Sequence, residues 1–216
     1  MRRRGIVLSG ASALLLVLLG VVVTAVSVPG DAALVNYLHH HATAAADHIA
    51  LALSASGRSK VLIPAVCITA SLLLMRQAWR AAVFAVVCAS IMPLASLQLK
   101  VIFARQRPPI ASIAPESTFA YPSGHAAASA VFAIIVGVIV WRSPWRRRIV
   151  PVVTVWALGV AWSRIYLGVH YPTDVVGGWL LACSIAALMF VLLQPTPLQS
   201  SEPDESSSPG GRGSAP

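Results

Sequence analysis

The sequence predicts an all-α, polytopic membrane protein with six transmembrane helices and both termini in the cytoplasm. Three observations carry that prediction. Hydrophobic residues make up 57% of the 216 positions and charged residues 11%, whereas an average soluble domain is roughly 25% charged. A globule of this length has too much water-facing surface to hide that share of apolar side chains, which excludes a soluble enzyme, a disordered chain and a disulfide scaffold. Apolar stretches recur at 6–28, 61–75, 81–99, 124–141, 149–169 and 174–193, and a bilayer-crossing helix needs about 20 such residues, within a range of about 17–25. The basic residues behind the net charge of +9 stand in short runs between those stretches. That placement sets membrane orientation and does not make a nucleic-acid patch.

The stretch 6–28 follows the basic Arg2–Arg4 and has small residues near Ala25 and Ser27, as a signal peptide would. Its apolar core exceeds the roughly 7–15 residues of a signal h-region, so it reads as an uncleaved anchor. Residues 29–60 are too polar to span and too apolar for a linker. They read as short amphipathic helices along the outer interface. The run His39-His40-His41 does not read as a metal site, because adjacent helical residues point in different directions. The stretch 61–75 is short, and Lys60 and Arg76 are placed to snorkel to the two surfaces. The stretch 149–169 is interrupted by Ser163 and Arg164. From about Gln194 onward Pro, Ser, Gly and acids dominate. Residues 1–195 are therefore expected to form the membrane domain and 196–216 a disordered cytoplasmic tail. Cys67, Cys88 and Cys183 each lie in an apolar stretch and read as small buried hydrophobes.

With the N-terminus inside, Arg2–Arg4, Arg76 to Arg80 and Arg142 to Arg148 give nine cytoplasmic Lys/Arg, against six outside. The excess of basic residues favours that orientation.

Ionisable residues at membrane depth are costly and mark function by default. Here they fall in three clusters, all on the outer side. In the first, Lys100 and Arg107 are seven residues apart, almost two turns of a helix and so one face, with Arg105 off that face. Pro108 and Pro109 end any helix there. Such a pair suits phosphate oxygens, though taken alone it is more simply a snorkelling pair beside a loop charge. In the second, Ser123 after Pro122 reads as an N-cap, with Gly124 and His125 in the first turn. Free N–H groups and the helix dipole favour an anion there. In the third, Pro172 fits the first turn of the last helix, with His170 just before it and Asp174 inside it. Asp174 can then orient the imidazole and free its other nitrogen as a nucleophile, with Arg164 facing the same place. A capping Asp beside an interfacial His is the plainer alternative. Together the clusters offer three cations, Lys100, Arg107 and Arg164, two helix N-termini and two histidines. That set suggests in-line phosphoryl transfer.

The pattern Lys100…Arg107-Pro108, Pro122-Ser123-Gly124-His125 and Ser163-Arg164…His170…Asp174 resembles the type 2 phosphatidic acid phosphatase superfamily, with no departure at a motif position. That superfamily includes undecaprenyl-diphosphate and phosphatidylglycerophosphate phosphatases. The resemblance implies that His170 attacks phosphorus to form a phosphohistidine, that Asp174 holds its tautomer and that His125 protonates the leaving oxygen. It implies that Lys100, Arg107, Ser123, Gly124 and Arg164 bind the phosphoryl oxygens. No metal or other cofactor is implied. The expected partners are a membrane lipid phosphate and the bilayer, with the site facing outside the cytoplasm. The same motifs resemble those of vanadium haloperoxidases, which are soluble. A small transporter or scaffold is the non-enzymatic alternative, but a transporter shows inverted repeats and broken midplane helices, and here the polar residues gather at one surface. Nothing in the spans separates a diacylglycerol chain from a polyprenyl chain.

Overall fold

Apolar runs punctuated by Pro, Gly and basic residues become helices in the computed structural model, which describes residues 2–195 except 111 and 115. The expected disordered tail, 196–216, lies outside the described residues. The helices are α1 (Arg2–Ala25), α2 (Pro29–His40), α3 (Ala44–Ser56), α4 (Ser59–Met75), α5 (Trp79–Phe103), α6 (Gly124–Val140), α7 (Arg146–Tyr166) and α8 (Pro172–Leu193). No strand occurs among the described residues.

Local chemistry explains the boundaries that matter for the site. Pro29 and Pro172 open α2 and α8, where a missing N–H costs nothing. Helix α5 stops at Ala104, which adopts the left-handed conformation at φ 45° and donates its N–H to the Lys100 carbonyl. The chain leaves α7 through Gly168, at φ 69°, a backbone conformation that favours glycine.

Helix α8 lies against α1, α5 and α6, while α6 also packs on α7 and α5, and α4 on α5. Their shared core includes Leu16, Phe84, Met92, Val131, Ile135 and Leu181. Outward-facing residues are apolar too: Leu14, Leu18, Val22, Leu94, Val101, Val155 and Leu192 are exposed. An apolar lateral surface of that extent suits lipid and not water.

Helices α1, α5, α7 and α8 are long and apolar enough to cross a membrane. Helices α3 and α4 qualify only as a pair, bent by 48° at their junction, and α6 is an apolar helix of 17 residues. Segment 29–60 is helical as expected, but it does more than lie on a surface. Helix α3 packs along α7, and both α2 and α3 send buried polar side chains inward, Asp31 and Ser54. Helix α7 runs unbroken through Ser163 and Arg164, both of which are buried in its last turn.

Candidate active site

The C-terminal ends of α5 and α7 meet the N-terminal ends of α6 and α8. The connection between α5 and α6 bonds back to α5 through Phe119 and Lys100 and to α7 through Glu116 and Arg164. The Ser123 N–H donates to the Asp174 carbonyl at 2.9 Å, tying the start of α6 to the first turn of α8. Gly178, one turn further on, allows this approach, since a Cβ there would stand 2.6 Å from the Ser123 carbonyl oxygen.

His170 is buried, with its two ring nitrogens in different surroundings. Nε2 lies 3.3 Å from Arg107 Nη1. A guanidinium can only donate, so Nε2 is the acceptor and the proton of the neutral ring belongs on Nδ1. Nδ1 faces Asp174 Oδ2 at 3.5 Å, longer than a hydrogen bond but in the orienting position expected. The Asp174 carboxylate also accepts the Tyr171 N–H at 2.8 Å. Burial first, and then the charges of Arg107, Lys100 and Arg164, hold the His170 pKa well below its ordinary value. The ring is kept neutral with the Nε2 lone pair turned to the cations.

Arg107 stands at that lone pair, and Lys100 and Arg164 are close enough for their charges to act on the ring. Lys100 donates to the Phe119 carbonyl. Arg107 donates to the carbonyls of Thr118 at 2.6 Å and Val169 at 2.5 Å. Arg164, fully buried, donates to Ser54 Oγ and pairs with Glu116 Oε1 at 2.5 Å. Burial alone would raise the Glu116 pKa, but Arg164, His125 and Arg107 together pull it below the usual carboxylate range. Lys100, Arg105, Arg107 and Glu116, together with the exposed Leu97 and Val101, line a cavity of about 530 Å³. Among the described residues, five buried side-chain polar atoms lack a protein partner, and four of them belong to the predicted site: Ser123 Oγ, His125 Nε2, Arg164 Nε and His170 Nδ1. Buried polar groups are normally satisfied; with His170 Nδ1 turned to Asp174, the atoms Ser123 Oγ, His125 Nε2 and Arg164 Nε are left for a polar ligand. No three His, Cys, Asp or Glu among the described residues are grouped to hold a metal ion.

All eight predicted site residues converge here, but two expectations about them fail. Lys100 and Arg107 do not share a helical face, because α5 ends at Phe103 and Arg107 reaches the site from the loop. The Ser123 side chain does not cap α6 although the residue occupies the N-cap position. At Gly124 a Cβ would meet Ser96 Oγ at 3.3 Å, so the glycine also serves the α5–α6 contact. Five residues of the network were not singled out from the sequence: Asp31, Ser54, Glu116 and Thr173, and Arg105, which was set aside as off the face. The available signal was acid content. Of seven acids in the chain three lie in the tail, leaving Asp31, Asp47, Glu116 and Asp174, and three of these four pair with site arginines.

Residues 78–196 match the PAP2 superfamily, a span that contains all three motifs. A phosphatidylglycerophosphatase B of Bacillus subtilis is 33% identical over 144 residues, 64% of this chain and 68% of its own. An undecaprenyl-diphosphatase of Sulfolobus acidocaldarius is 29% identical over 175 residues, 78% of this chain and 81% of its own. The crystal structure of a transmembrane PAP2-type phosphatidylglycerolphosphate phosphatase from Bacillus subtilis superposes with a TM-score of 0.74 at 25% identity, covering 84% of this chain and 94% of that one. With more than half its length matched and the motifs closed around one buried histidine, the chain belongs to the PAP2 superfamily, and it is a phosphatase by that membership.

Proposed function

We propose that the chain is an integral-membrane lipid phosphate phosphatase that works through a phosphohistidine on His170. The observation that carries this reading is the His170 ring, whose Nε2 faces Arg107 and whose Nδ1 faces Asp174. In the first step the Nε2 lone pair forms a bond to phosphorus as the bond to the lipid oxygen breaks. His125 enters the step as the imidazolium, favoured by the negative charge of the bound phosphate. It protonates the departing electron pair to become the neutral ring, a contribution worth about 10²–10⁴ in rate for a general acid. Lys100, Arg107 and Arg164, with the backbone at Ser123 and Gly124, hold the phosphoryl oxygens and balance their charge. In the second step water attacks phosphorus, His125 takes its proton, and the P–N electron pair returns to Nε2 as phosphate leaves.

A lipid substrate is supported by the exposed apolar Leu97 and Val101 in the cavity wall and by the relatives, whose names specify lipid phosphates or diphosphates. Six passes follow if α1, the α3–α4 pair, α5, α6, α7 and α8 each cross once. Counting basic residues then puts the site outside the cytoplasm, with both termini inside.

The test uses purified protein in detergent with EDTA, a ³²P-labelled lipid phosphate and an alkaline quench. Label on the wild type that survives alkali and is lost in acid is expected, as is its absence in His170→Ala. His125→Ala should lose far more activity on a lipid phosphate than on p-nitrophenyl phosphate, whose leaving group needs no proton. Acid-stable label, or label persisting in His170→Ala, would overturn the mechanism and point to Ser123.

A further inference from the structure

Behind Asp174, on the side away from His170, lies a closed network whose other members are not motif residues. Arg105 is buried between two carboxylates. Its Nη1 donates to Asp174 Oδ1 and, at 2.8 Å, to Thr173 Oγ1. Its Nη2 donates to Asp31 Oδ2 at 2.7 Å. Asp31, from α2, closes the ring by accepting the Thr173 N–H at 3.0 Å and the Thr173 hydroxyl. Tyr171 covers the guanidinium, its ring centroid 4.4 Å from Cζ. Asp31 is 3% exposed and Asp174 0%, so the three charged groups interact largely out of water.

We infer that Arg105 and Asp31 are positioning residues for the nucleophile, acting on His170 through Asp174. Two physical effects follow from the geometry. Arg105 holds Oδ1, which fixes the rotation of the Asp174 carboxylate and keeps Oδ2 toward His170 Nδ1. The second effect is one of charge. When Nε2 bonds to phosphorus while Nδ1 keeps its proton, the ring becomes a cation that needs an anion beside it. Arg105 alone would cancel the charge of Asp174. Asp31 restores it, so that two carboxylates around one guanidinium leave a net negative charge facing the ring. An outer helix, α2, is thereby part of the apparatus that stabilises the phosphohistidine.

The inference rests on the reading of His170 proposed above, and the test separates the two. Asp31→Asn is the deciding variant, because it is nearly isosteric. Removing Arg105 would leave two buried carboxylates facing each other and endanger the fold. Steady-state kinetics on phosphatidic acid in detergent micelles should show kcat of Asp31→Asn down about 10–100-fold, the scale of losses on removing the outer partners of metal-ligating histidines, with KM within about threefold. Asp31→Glu should recover most of the loss. In an Asp174→Asn background, Asp31→Asn should cost less than about twofold more, because residues acting through one another are not additive. Multiplying losses, or a raised KM at constant kcat, would overturn the inference while leaving His170 as nucleophile. Activity retained in His170→Ala would overturn both.

Discussion

Cations of the site and cations at the opposite helix ends have opposite fates; Arg58 and Lys60, at the α3–α4 junction, are exposed like the latter. At the site end Lys100, Arg105 and Arg164 are 8%, 8% and 0% exposed, and each is bound to a carbonyl, a hydroxyl or a carboxylate. At the far end Arg76, Arg80, Arg142 and Arg146–Arg148 are all exposed. There the arginines lie over tryptophans: Arg80 over Trp79 at 5.4 Å, Arg146 over Trp141 at 5.7 Å and Arg148 over Trp145 at 5.3 Å. Arginine and tryptophan together are the ordinary furniture of a membrane interface. The difference lies in the acids. Asp31, Asp174 and Glu116 sit among the site cations, while Asp47 bonds Tyr166 at the end of α7 on the same side. A basic residue at a helix end therefore says little by itself. One that is buried because an acid or a carbonyl waits for it is a candidate for chemistry.

The largest expected effect tests that contrast directly. Arg164→Ala should lower kcat by about 10²–10³ or more, the cost of removing a donor that stabilises transition-state charge. Arg164→Lys should recover little, since one ammonium cannot serve Ser54, Glu116 and a phosphoryl oxygen with the geometry of a planar fork. Arg147→Ala should leave kcat within about twofold, as exposed substitutions usually do. Equal losses at the two positions, measured on the same lipid phosphate, would remove the distinction between the ends.

A smaller effect concerns the titration of the site end. His170 stays neutral in the fold because burial and the neighbouring cations depress its pKa, whereas in the unfolded chain it titrates near the usual value of about 6.5. Below that value the unfolded state binds the extra proton, so acid favours unfolding. Thermal unfolding in detergent should show stability falling as pH drops from about 7 to 5, and His170→Gln should flatten part of that fall. The far-end arginines do not titrate in this window, so Arg147→Ala should leave the profile unchanged. An identical pH profile in His170→Gln would show that the ring is not held neutral by the fold.

These effects also mark what the sequence made legible. Hydropathy located every long helix to within a few residues, because burial in lipid demands long apolar runs whatever the tertiary contacts. The motifs picked out eight residues that the fold brings together, because residue type and spacing are what a shared polar site constrains. Lys100 and Arg107 do not share the face that their spacing predicts, for a local reason. That face needs α5 to continue to Pro108, but the chain turns at Ala104 through a left-handed residue that no pattern announces. Asp31 and Ser54 were missed because they reach the site from α2 and α3, segments far away in sequence. Only the packing of α3 on α7, and the α2 contacts with Thr173 and Arg105, bring them in. Glu116 and Asp31 were nevertheless detectable in principle, since an acid in so apolar a chain needs a partner.

The smallest expected effect on activity decides which end faces the cytoplasm. Ile113, in the loop over the site, is 57% exposed and does not line the cavity. Arg147 is exposed at the far end. A cysteine at either position should leave kcat within about twofold, so sidedness is read in an active enzyme. The three native cysteines are replaced by serine or alanine first, because Cys67 is exposed and would react on its own. In intact cells a membrane-impermeant thiol reagent should modify Ile113→Cys, and Arg147→Cys should react only after lysis. The basic excess at the far end predicts this order, since arginines in short loops resist translocation while acids contribute little. The reverse order would put the site in the cytoplasm. The contrast between the two ends would survive as chemistry, but the exposed arginines would no longer be explained by the rule that orients membrane proteins.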